Sequence, residues 1–167
     1  LLEIIETNIS NRKLTIKANK NIGRSKAKKV HVTYKSLSSI EASSGADVIG
    51  KSVVKSETLT LESSSGADLE VEVFAKELYA DTSSGADIQV SGKASNIYAN
   101  ASSGSEVNAK NLTTLTCNAK ASSGADIVVT VKDRINAKAS SGGDVRYYGD
   151  PVSVTKKGGK SGNIRKM

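Results

Sequence analysis

The chain has almost none of the residues that fill an ordinary globular interior or build most enzyme sites. Only 4% of its 167 residues are aromatic, with no tryptophan and one phenylalanine. A core of large interlocking rings is therefore excluded, and any interior has to be narrow and made of small aliphatic side chains. The single cysteine, Cys117, excludes an intrachain disulfide and any multi-cysteine metal site. The single histidine, His31, excludes a histidine metal trio, and also a serine–histidine pair supported by a second histidine. No apolar run approaches the ~20 residues of a membrane-spanning helix, and no export signal is recognisable. The opening "LLEIIETNIS" (1–10) begins in mid-pattern, which suggests a leader and further strands upstream.

Charge is plentiful but dispersed. Lysine and arginine number 24 against 17 acids, a formal +7, which favours anionic partners at long range. The densest basic stretches, "KANKNIGRSKAKK" (17–29) and "KKGGKSGNIRK" (156–166), carry no interleaved aromatics. Nucleic acid is therefore not an expected partner. The glycines of "KKGGKSG" (156–162) lack the ending and the following helix of a phosphate loop.

What the sequence does have is repetition. ASSGAD (42–47) returns as SSSGAD (63–68), TSSGAD (82–87), ASSGSE (101–106), ASSGAD (121–126) and ASSGGD (139–144). Its glycines, Gly45, Gly66, Gly85, Gly104, Gly124 and Gly142, are 21, 19, 19, 20 and 18 residues apart. A fixed period of this size marks a solenoid, whose repeats bury each other's faces. Seven residues before the glycine stand Leu59, Leu78, Ile97, Cys117 and Ile135. Five before it stand Ile40, Leu61, Ala80, Ala99, Ala119 and Ala137. Three after it come Val48, Leu69, Ile88, Val107, Ile127 and Val145, and two further on Val71, Val90, Ala109, Val129 and Tyr147. Apolar columns two residues apart are the signature of strands with one buried face.

Each repeat is thus expected to hold a strand, a corner at the glycine and a second strand. Segments such as 93–95 and 110–114 leave room for a third short side. The predicted fold is all-β, a single parallel β-helix over 1–167 with about six or seven coils of 18–21 residues. It should be right-handed, because connections between parallel strands almost always are. Glycine supplies the positive φ of the corner, and the second serine of each pair (Ser44, Ser65, Ser84, Ser103, Ser123, Ser141) is expected to point inward. The run "KVHVTYKSL" (29–37) alternates as a surface strand carrying His31.

The outward positions are where binding or chemistry has to lie. The closing acids Asp47, Asp68, Asp87, Glu106, Asp126 and Asp144 should form one column, and carboxylates ~5 Å apart need capping, pairing or a cation. Turn capping is the expected role. The five aspartates are secondary candidates for calcium, because calcium-binding rolls carry several acids per turn and each coil here offers one. No cofactor and no catalytic residue are predicted, since nothing breaks the pattern at one place as an active site would. Cys117 falls in an inward column, as a small hydrophobe. Tyr79 and Tyr98, both six residues before their glycine, share an outward column and are the candidate binding residues for a glycan or a protein. Four residues before the glycine, Glu41, Glu62, Asp81, Asn100, Lys120 and Lys138 change sign along the stack, which points to self-association.

The run "VHVTYKSLSSIEASSGADV" (30–48), the serial Ser-Gly corners and the closing "VRYYGDPVSVTKKGGKSGNIRK" (145–166) resemble the bacterial head-GIN domain family of auto-transporter adhesins. The resemblance implies a pectin-lyase-like β-helix, export beyond the cytoplasmic membrane, no recognised catalytic residues and a role in adhesion at the cell surface. Two alternatives stand beside this non-enzymatic adhesin. One is a polysaccharide lyase or hydrolase using an acidic cleft beside a basic residue, and the other is a scaffold that assembles only with copies of itself.

Overall fold

The structure, a computed structural model, describes residues 4–23, 28–159 and 161–167. Residues 24–27 of the first basic stretch and Lys160 of the second lie outside the described residues. Among the described residues every element is a β-strand. The chain divides into two compact units, residues 1–34 and 35–167.

The first unit holds an antiparallel hairpin. Strand β1 (Ile5–Ser10) pairs with β2 (Lys13–Ala18) across Asn11 and Arg12, both at positive φ (49° and 62°). Two positive-φ residues give a hairpin turn the twist its flanking strands need. The parallel stacking expected over 1–167 therefore lies in the second unit, while residues 5–18 pair antiparallel. The run 29–37 forms no strand, and His31 is exposed in irregular chain. Alternation supplies one apolar face but no partner edge, and the boundary between the units falls inside this run.

The second unit is the solenoid. Its strands are β3 (Ser39–Ser43), β4 (Asp47–Ile49), β5 (Val54–Ser64), β6 (Asp68–Ser83), β7 (Asp87–Ala101), β8 (Glu106–Ala121), β9 (Asp126–Ala139), β10 (Asp144–Tyr148), β11 (Ser153–Gly158) and β12 (Asn163–Lys166). All pair in parallel, each with its equivalent one coil away, in about seven turns. The predicted inward columns form the core: Leu59, Leu78, Ile97 and Ile135 are fully buried, as are Ile88, Val107, Ile127 and Val145. Cys117 lies among them, and burial pushes its thiol up to about 12. Residues 93–94 and 113–114 continue the ladder as the third side, and length differences between coils are absorbed there as register shifts.

The corner is built differently from the sequence expectation at one position. In every copy the second serine takes positive φ (51–58°), as does its glycine (68–78°). The N–H of Ala46, Ala67, Ala125 and Gly143 bonds back to the carbonyl three residues earlier, at 2.9–3.3 Å. This is a two-residue reversal with both central residues left-handed. It turns Ser44, Ser65, Ser84, Ser103, Ser123 and Ser141 out to solvent, where all six are exposed. The residue after the glycine points in instead: Ala67, Ala86, Ser105 and Ala125 are buried. At the corners, buried hydroxyls belong to Ser63, which donates to the Ala67 carbonyl at 2.7 Å, and to Thr82 and Ser105, 2.8 Å apart. Successive corners are tied by glycine N–H groups donating to a serine carbonyl one coil on, from Gly45 to Ser65 through Gly142 to Ser161, at 3.0–3.1 Å.

Candidate functional site

On the strands preceding each corner, outward side chains form three parallel columns. Neighbouring coils present Glu77, Tyr79 and Asp81, then Asn96, Tyr98 and Asn100, then Thr116, Asn118 and Lys120. Strand spacing near 4.8 Å is close to the stacking distance of aromatic rings. Tyr79 and Tyr98 use it, with ring centroids 4.7 Å apart and planes at 9°. Each ring therefore gives one face to the other and turns its edge and hydroxyl outward. The Glu77 carboxylate beside Tyr98 holds that phenol above its ordinary range.

Amide ladders flank the stack. Asn96 donates to Glu77 at 2.6 Å and accepts from the Thr116 hydroxyl at 2.5 Å, and Asn100 donates to Asp81 at 2.6 Å. Beside the stack runs a shallow groove of about 480 Å³, with Glu62, Asp81, Asn100 and Lys120 on one wall and the corner residues Ser83 and Ser102 on the other. Both candidate tyrosines thus sit on one face with a polar groove that holds acid at one end and lysine at the other.

The closing acids occupy the face after the corner. Asp47, Asp68, Asp87, Glu106, Asp126 and Asp144 stand in single file, one per coil. Asp87 accepts from the Glu106 backbone N–H at 3.1 Å. Arg146 lies 3.4 Å from Asp126, and Arg165 lies 3.6 Å from Asp144. These two arginines were not among the sequence candidates. Their signal was present in the spacing of DVR (144–146) and NIR (163–165), where the arginine follows the corner's outward position by two residues on the same face. Among the described residues no group of three His, Cys, Asp or Glu side chains is placed to hold a metal ion.

Glu106 is the perturbed acid of this column. Burial first, then the Asp87 and Asp126 charges, push its carboxyl up, and Arg146 pulls it down. A carboxyl raised on folding contributes stability in acid that is lost as the pH rises through its folded value. At neutral pH the charged form is thus a cost, reduced by solvent screening because the group is only half-buried. Glu106→Gln is expected to raise Tm by about 1–2 °C at pH 7, with the gain gone below about pH 4. Thermal melts of both proteins across that range check it. A carboxyl of this kind beside an arginine is one element of an enzymatic site. However, the groove near the tyrosines is lined by other residues, and a smaller hollow of about 200 Å³ is lined by Gly50, Glu70, Val71, Glu72, Gln89 and Ser91.

A ladder of identical corners with varied outward columns defines a repeat-built parallel β-solenoid whose faces display side chains in register. The chain belongs to the family described as "Putative auto-transporter adhesin, head GIN domain", whose model matches residues 1–151. Among solved structures it is similar to a putative adhesin from Bacteroides fragilis NCTC 9343. That similarity has 20% identity and a TM-score of 0.81, covering 99% of this chain and 78% of that one. No curated protein matches it.

Proposed function

We propose that this domain is a non-catalytic, extracytoplasmic interaction module, an adhesion domain that takes a surface-displayed glycan or protein on the face carrying Tyr79 and Tyr98. The observation that carries this reading is the corner ladder, unbroken from Gly45 to Gly142, beneath outward columns that differ from coil to coil. A backbone repeated so regularly holds side chains in position along the coil. The family name supports both adhesion and a location beyond the cytoplasmic membrane. Protease digestion of the protein on intact cells tests the location.

Glycan arrays and pull-downs with the whole chain test the function. Tyr79→Ala/Tyr98→Ala is expected to weaken ligand binding about tenfold, a loss matching one aromatic contact pair, while the circular dichroism of the solenoid persists. Turnover of a polysaccharide with no retained ligand would overturn the reading. In that case Glu106 beside Arg146 is the place to look, and Glu106→Gln would abolish the turnover.

A further inference from the structure

The column four residues before the corner is longer and more ordered than its sequence copies indicate. The register aligns Glu41, Glu62, Asp81, Asn100, Lys120 and Lys138, and adds Lys157 of β11. Seven consecutive positions thus read acid, acid, acid, amide, base, base, base. All are exposed or half-exposed. Reversing the order of this array and inverting every charge returns the same array, with Asn100 as its midpoint.

From this antisymmetry we infer that the protein partner of the tyrosine face is a second copy of the same chain, lying antiparallel across a two-fold axis at Asn100. The inference rests on the reading of this face as an interaction surface and names its occupant. A two-fold axis along the strand direction keeps each column opposite itself and reverses the coil order, the geometry of an isologous contact. Glu41 then meets Lys157 of the other copy, Glu62 meets Lys138, Asp81 meets Lys120, and Asn100 meets Asn100. Each pairing occurs twice except the last. The two neighbouring columns obey the same operation: Tyr79 meets Asn118, Tyr98 meets its own equivalent, Glu77 meets Thr116, and Thr58 meets Arg134. No like charges are opposed on these three columns.

The physical drive comes from within one copy. Its three acids and its three lysines each stand ~4.8 Å from a like charge, an unfavourable arrangement on neighbouring strands. An antiparallel copy places an opposite charge over every one of them. A parallel copy places like on like, so orientation is selected as well as partner. Antiparallel pairing through a lateral face also suits contact between molecules borne on facing surfaces.

Two exchanges that preserve composition and net charge separate this from general electrostatic attraction. Asp81→Lys/Lys120→Asp keeps the antisymmetry, because the swapped positions face each other. Glu62→Lys/Lys120→Glu destroys it, opposing lysine to lysine and acid to acid. Sedimentation of the whole chain at low salt is expected to show a dimer for the parent and for the first exchange. The second exchange should associate at least about tenfold more weakly. Raising salt to about 0.5 M should weaken the two dimers, as the screening length shortens to a few ångströms. Circular dichroism melts check that the coils are intact. If an exchange fails to fold, mixing Glu41→Lys/Glu62→Lys/Asp81→Lys with Lys120→Glu/Lys138→Glu/Lys157→Glu decides, since each should be monomeric alone and dimeric together. A parent that stays monomeric, or two exchanges that behave alike, would overturn the pairing. If that monomer still loses a glycan or foreign protein ligand on Tyr79→Ala/Tyr98→Ala, the interaction face stands and only the self-pairing falls.

Discussion

Gly92→Ala is expected to destabilise the solenoid by about 3 kcal/mol or more. Gly92 lies inside β7 at φ 101°, and a Cβ there would stand 2.2 Å from the Val73 carbonyl oxygen on the adjacent coil. That oxygen belongs to a strand held by the ladder, so it cannot yield as a flexible side chain would. The contact is between two paired backbones: Gly92 stands opposite Val73 in an unbroken register with β6, while the shift between Gln89 and Gly92 is towards β8, which carries the extra residue. Gly85→Ala is the control. Gly85 has φ 68° but nothing within 4 Å of its would-be Cβ, so only the left-handed conformation is penalised, at about 1–2 kcal/mol. Urea unfolding of the two variants should separate them clearly. Equal losses would mean that the coils shift apart more easily than the ladder suggests.

Leu78→Ala is the second large effect, expected at about 3 kcal/mol and a fall in Tm of about 6–12 °C. Leu78 is fully buried in mid-stack, directly between Leu59 and Ile97. Neighbouring coils are fixed by their own hydrogen bonds, so a cavity opened there has little means of closing. Val154, which follows Ile135 in the same column at the last coils, is 42% exposed. Val154→Ala should therefore cost less than about 1 kcal/mol. Calorimetry of both variants tests whether stability grows from the edge of the stack to its middle, as a one-dimensional array requires.

The contrast between Gly85 and Gly92 shows how much of the molecule was legible. The six motif glycines announced themselves by repetition, and all six take the positive φ that the corner demands. Gly92 and Gly149 repeat nowhere, yet they are the glycines of positive φ whose Cβ would strike a neighbouring carbonyl. The serines of the motif were misread for a related reason. Period-two alternation carries inward and outward positions along a strand, but it stops at the left-handed serine. There the side chain turns outward and the alanine beyond the glycine goes in.

The outward face was readable in its members and not in its contacts. Tyr79 and Tyr98 could be assigned to one column by counting. Their stacking, Asn100 bonding to Asp81, and the arginines reaching Asp126 and Asp144 depend on which coil lies against which. Lys157 joined the charged column only in the structure, because the final coil lacks the full hexapeptide from which positions were counted.

By itself the sequence determined the solenoid, its period, the inward columns and the corner glycines. Those follow from spacing along the chain, and identical spacing forces identical coils to stack in register. The antiparallel hairpin of residues 5–18, the close approach of Gly92 to Val73 and the completed antisymmetric charge array were decided by tertiary structure. Each depends on the distance between groups on different strands, and one repeat read alone contains no such distance.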